Sequence, residues 1–169
     1  MNLQGVSYVY KNEELSIEAF KEYRLNKGVV CKKCGSQHHY WLMSKQQFQC
    51  VDCRFRTTLR SGTVLQGSKL PYSYFFIAVN LLSKQGNRLT LDEFQKHTGH
   101  KYYEPLWEFL NKLKINLDEQ ERGLILSTYS DILSKRFRLG LITDNTFPLK
   151  AERQLVHVEE QQLERVAAR

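Results

Sequence analysis

No apolar run in this chain approaches the ~18 residues that a membrane-spanning helix needs. The longest, Tyr74 to Leu82, is interrupted by Asn80. The opening MNLQGVSYVYKNEELS lacks the basic stretch and apolar core of a secretory leader, so a cytoplasmic protein is expected. Nowhere does the sequence offer a nucleophile beside a base, a phosphate-cradling glycine loop or an open metal site, so no self-sufficient enzyme is expected. Proline occurs three times: Pro71 and Pro105 fit the first turns of helices, and Pro148 falls in a turn. Acidic side chains are scarcest over residues 31–60, where Asp52 stands alone against six lysines and arginines. Cysteine is limited to four residues, and all four fall in one short stretch.

That stretch is CKKCGSQHHYWLMSKQQFQCVDCRFRT, residues 31–57. Cys31 and Cys34 form one Cys-x-x-Cys pair and Cys50 and Cys53 another, with fifteen residues between them. In a reducing compartment such pairs hold metal more often than they form disulfides. Each offers two thiolates from one tight turn, and Zn²⁺ takes four soft ligands in a tetrahedron. All four positions are then filled by protein, so one structural zinc ion is expected, standing in for a core this segment is too small to build. Tyr40-Trp41-Leu42 and Gln47-Phe48-Gln49 read as strands around a Ser44-Lys45-Gln46 turn, with a third strand at Arg54 to Leu59. His38 and His39 read as exposed hairpin residues that a four-cysteine site does not need.

The net charge of +7 is uneven: residues 31–60 carry +5 and residues 61–117 carry +3, while the two ends are near neutral. A positive field centred on a zinc module attracts a polyanion, most simply DNA. Lys45, Arg54, Arg56, Arg60 and Lys69 are the candidate phosphate contacts.

Beyond the ribbon the period changes from two to three and four. Gly62 and Gly67 punctuate an expected β-rich linker. Tyr74, Phe75, Ala78, Leu81 and Leu82 then form an apolar helical face that Gly86 ends. Thr90-Leu-Asp-Glu93 is a capping box opening a short second helix that stops near Gly99. A third helix starts around Pro105, with Leu106, Phe109, Leu110 and Leu113 as its buried stripe. Three such helices with a glycine turn are compatible with a helix-turn-helix and equally with a plain packing bundle. In the first case Lys101, Tyr102, Tyr103, Asn111 and Lys112 face DNA, beside two unfavourable glutamates, Glu104 and Glu108. The expected fold is therefore α+β, mostly α: a lead-in helix over 1–30, a Cys₄ ribbon over 31–67, a three-helix unit over 68–117 and C-terminal helices over 118–169.

From about Ser16 to Leu117 the text resembles the N-terminal region of a bacterial insertion-sequence transposase family. The matching segments are EAFKEYRLNKGVVCKKCGS, FQCVDCRFRTTLRSGTVLQGSKLPYSYFFIAVNLL and the helices from Thr90 to Asn116. The resemblance implies a Cys₄ zinc ribbon followed by a helical DNA-targeting region. Lys32 stands where the family usually has proline, and His100 and Pro105 depart from its pattern after Gly99, so groove-reading residues are not carried over. Family transposases continue into a ribonuclease-H-like domain whose acidic triad holds two metal ions. The 52 residues after Leu117 fall short of the roughly 100 such a domain needs, so the targeting end without its catalytic domain is expected.

Asp118 is placed as the N-cap of a long helix with Leu124, Ile125, Ile132 and Leu133 on its apolar side, ending at Gly140. Lys135, Arg136 and Arg138 close it, suiting either the helix dipole or a phosphate grip. Thr143 to Pro148 form a turn, and a last charged helix carries Val156, Leu163 and Val166 in heptad-like spacing, an expected partner-binding tail. The leading expectation is a non-catalytic DNA-binding regulator or targeting subunit. The alternatives are a remnant of a truncated transposase, or a protein adaptor anchored through Tyr40, Trp41, Tyr72, Tyr74 and Phe75.

Overall fold

The structure, a computed structural model, describes residues 10–141. Its elements in chain order are α1 (Glu13–Lys27), β1 (His39–Leu42), β2 (Gln47–Cys50), β3 (Arg56–Thr58), α2 (Tyr72–Gln85), α3 (Leu91–Thr98), α4 (Tyr103–Asn116) and α5 (Glu119–Arg138). This is the expected small antiparallel sheet followed by helices. Thr143 to Pro148 and the last charged helix lie outside the described residues. Among the described residues, no helix is long and apolar enough to cross a membrane.

Helix α2 is the axis of the body. From Phe75 to Leu82 every residue is buried, so in place of the one-sided face expected from the sequence the helix is buried all round, with Asn80 as its polar exception, as suits a central helix. Helices α1 and α5 pack against it, as do α3 and α4. Phe20 of α1 meets Phe75 edge-on at 5.1 Å, and Phe76 and Tyr129 lie 4.7 Å apart between α2 and α5. Each fully buried aromatic of this kind contributes about 1.5–3 kcal/mol through removal from water.

Polar contacts fix the helix ends. Asn12 accepts a hydrogen bond from the Leu15 amide at 3.0 Å and starts α1. Pro71 has no side chain to cap α2; instead the Glu13 carboxylate reaches over from α1 and accepts from the Tyr72 and Ser73 amides at 2.7 and 2.9 Å. A negative group at a helix N-terminus suits the dipole, so one contact both caps α2 and pins α1 to it. Thr90 accepts from the Glu93 amide at 3.4 Å, but Glu93 does not complete the expected box. Its carboxylate accepts from Gln85 at 2.8 Å and ties α3 back to α2.

Helix α4 buries Leu106, Phe109, Leu110 and Leu113, the predicted stripe, with Phe109 stacked 6.2 Å from Phe94 of α3. In α5, Asp118 accepts from the Glu121 amide at 2.7 Å, as expected of a cap. The buried side of α5 carries Ile125, Ile132 and Leu133 together with Thr128 and Tyr129, while Leu124 is 44% exposed. That face is partly polar, so apolar spacing alone drew Leu124 one position too far round the helix. The segment between β3 and α2 is not β-structure: Ser61, Thr63, Gln66 and Ser68 each donate an amide to the carbonyl three residues back, a chain of tight turns. Gly62 and Gly67 adopt positive φ within it, +74° and +82°.

Candidate metal centre and nucleic-acid interface

The sheet order is β1-β2-β3, antiparallel throughout. Trp41 lies opposite Phe48 and Phe48 opposite Thr57, making one cross-strand row that points inward. Helix α1 covers this inner face. Lys21 sits over the Trp41 ring at 5.7 Å and the Arg24 guanidinium over Phe48 at 5.3 Å. Arg24 also donates to the Thr58 and Leu59 carbonyls at 2.9 and 2.8 Å, closing the end of β3. Burial draws its pKa below the ordinary value, against an opposing pull from Tyr72.

At the end of the sheet the two Cys-x-x-Cys turns face each other. Gly35 donates its amide to the Cys31 carbonyl at 2.9 Å, and Arg54 donates to the Cys50 carbonyl at 3.1 Å. Both residues sit in left-handed backbone, φ +73° and +58°, so the two turns have the same form. The four Sγ atoms lie within 4.8 Å of one another, with Cys31–Cys53 and Cys34–Cys50 each at 3.5 Å. A tetrahedron of Zn–S bonds of ~2.3 Å has edges of about 3.8 Å, so this cluster fits the ion with little movement. Burial raises the Cys31 thiol, but amide donors from Cys34 and Lys33 outweigh it and bring it down to about 7. Cys50 is lowered chiefly by the Cys53 amide, against a burial effect of opposite sign. Four crowded sulfurs, each with a backbone amide donor aimed at it, are a donor set for one structural zinc ion, held by Cys31, Cys34, Cys50 and Cys53. Zn²⁺ with four thiolates carries −2, so the +5 of residues 31–60 becomes about +3 when the ion is bound.

On the ribbon and the turns that follow it, Lys45, Arg54, Arg56 and Lys69 are exposed. None of these four side chains makes a hydrogen bond or ion pair among the described residues. Arg60 behaves differently. It donates to the Ser68 and Leu70 carbonyls, both at 2.7 Å, and stacks over Tyr72 at 4.2 Å, so its guanidinium braces the turn chain. Lys101, Tyr102 and Tyr103 are exposed at the start of α4, with Lys101 over the Tyr102 ring at 5.6 Å; Lys112 is exposed further along and Asn111 half-buried. In the C-terminal cluster of α5, Arg136 pairs with Glu18 at 2.5 Å. Of the aromatic anchors weighed for an adaptor, Tyr72 and Phe75 are core, Trp41 and Tyr74 are half-buried, and Tyr40 is exposed. His38 is exposed as expected. His39 is not: it pairs with Cys50 across the strands, and both its ring nitrogens are buried without a hydrogen-bond partner.

Sequence reasoning missed Arg24, Lys21 and Glu13. Arg24 carried a signal: it falls four residues after Phe20, on the buried stripe of α1, where a cation is out of place unless something satisfies it.

No curated protein and no solved structure matches the chain. A family model does match, over residues 11–56. The matched span begins just before α1 and runs to the first residue of β3, so it takes in the covering helix as well as both metal-binding turns. The matched family is described as a transposase zinc-ribbon domain, and residues 11–56 are similar to it.

Proposed function

We propose that this chain is a non-catalytic DNA-binding protein that acts as a regulator or targeting subunit. The observation that carries the reading is the set of exposed, unpartnered cations, Lys45, Arg54, Arg56 and Lys69, on a metal-held ribbon and the turns that follow it. Three other arginines, Arg24, Arg60 and Arg136, hold parts of the fold together, whereas Arg88 and Arg138 are exposed without a side-chain partner among the described residues. Cations left free on a rigid module release counterions when they meet phosphate, and that release drives binding. The exposed start of α4 supplies a second contact, through Lys101, Tyr102 and Tyr103.

Fluorescence anisotropy of the zinc-loaded protein on a duplex, across several salt concentrations, tests this. Replacing Lys45 and Arg54 with alanine should weaken binding to all sequences alike. The log–log salt slope should fall by about 2, roughly 0.9 for each lost contact. Unchanged affinity and slope would remove the ribbon from the interface. A protein adaptor is favoured by one observation, the exposure of Tyr103 and Trp107 one turn apart on α4, at 54% and 53%. A partner that stays bound to the captured protein after nuclease treatment would select that reading.

A further inference from the structure

The inner face of the ribbon sheet is covered by α1, and the outer face is open. Strand alternation places Tyr40, Gln49 and Arg56 on that outer face. The register puts them in one row: Tyr40 opposite Gln49, and Gln49 opposite Arg56. Gln47 lies beside Gln49 on the same side of β2. Tyr40 and Arg56 are exposed and both glutamines half-exposed. Neither glutamine amide has a hydrogen-bond partner among the described residues. The face holds no carboxylate: Asp52, the single acid of residues 31–60, belongs to the second metal-binding turn.

From this arrangement we infer that the outer face of the sheet reads base edges in the DNA major groove, with Gln49 and Arg56 as the specificity-determining side chains. The inference rests on the DNA-binding reading above and adds a sequence preference to it. Two inter-strand spacings span about 10 Å, which fits a major groove about 12 Å wide. β-Sheet readers use strands in this way. A glutamine amide matches the N6/N7 edge of adenine, and an arginine fork matches O6/N7 of guanine. Gln49 and Arg56 face each other across neighbouring strands, so they reach adjacent base pairs. Lys45 at the hairpin tip and Arg54 just before β3 flank the row and hold the phosphates on either side.

The test is selection from a library of randomised duplexes by the zinc-loaded full-length protein, repeated with Gln49→Ala and Arg56→Lys. The wild type should enrich sites in which an A·T pair adjoins a G·C pair. Gln49→Ala should lose about tenfold discrimination at the adenine, and Arg56→Lys a similar factor at the guanine, with the other position kept. Arg56→Lys retains the charge and loses the planar fork, so its salt slope should stay unchanged. Both changes lie on an exposed strand face, and zinc content with circular dichroism will show that each variant is folded. A motif that survives both substitutions, or bound DNA without any motif, overturns the inference and leaves the DNA-binding reading standing. Absence of binding to any duplex overturns both.

Discussion

The helical body and the zinc ribbon solve the problem of holding together in opposite ways. The body buries Phe20, Phe75, Phe76 and Tyr129 and uses its charges as fasteners: Glu13 on the start of α2, Glu18 on Arg136, and Lys27 and Tyr23 on Glu121. In the ribbon sheet Phe48 is the one fully buried large apolar side chain. Four thiolates stand in for a core, and most of its cations hold nothing. A domain stabilised by burial must spend its polar groups on closing helix ends, whereas one stabilised by a metal can leave them facing outward. That contrast is what makes the ribbon the candidate for recognition.

The largest test of the contrast is metal removal. Cys50→Ser, or chelation of the wild type, should abolish the one bound zinc and unfold residues 31–58 while the helical circular dichroism signal remains nearly intact. Acid should act in the same direction, because protons compete with zinc for the thiolates. Zinc analysis and amide hydrogen exchange on the same sample would measure both halves at once. A helical signal that melts together with zinc loss would break the comparison and make ribbon and body one cooperative unit.

Arg24 is the joint between the two regions, and it sharpens the comparison. Arg24→Ala removes the donor to the Thr58 and Leu59 carbonyls and the cover over Phe48. The cost should be about 1–3 kcal/mol, the usual penalty for leaving buried acceptors unpaired. Chemical denaturation would report the loss, and zinc stoichiometry should stay at one per chain. A variant as stable as the wild type would mean that ribbon and body are merely adjacent.

This difference also explains what could be read from the sequence. The ribbon was legible because its constraints are local: cysteine spacing, glycine after the first pair, strand alternation on either side of a short turn. The stripe of α4 and the cap of Asp118 were legible for the same reason. What escaped notice depends on residues far apart in the chain. Glu13 caps a helix that starts at Tyr72, and Arg24 closes a strand that ends at Thr58. No periodicity encodes such pairings. The bracing role of Arg60 was hidden for a related reason: an arginine in a basic stretch looks the same whether it faces solvent or the carbonyls of Ser68 and Leu70.

The smallest expected effect is the sharpest test, because it moves the two regions' logics apart at one residue. The metal-binding turns are equivalent in backbone, yet the first places Gly35 in left-handed conformation and the second places Arg54 there. A side chain in that region costs about 1–2 kcal/mol, and glycine's greater freedom when unfolded gives back about 0.5–1 of what a substitution would gain. Arg54→Gly should therefore leave zinc binding intact and change stability by about 0–1.5 kcal/mol, in the stabilising direction. If Arg54 is present for folding, nothing else should change. If it is present for phosphate, DNA affinity should fall and the salt slope should drop by about 0.9 while the fold is as stable or more so. A loss of binding without a loss of stability is the signature of a backbone held under strain to present a side chain.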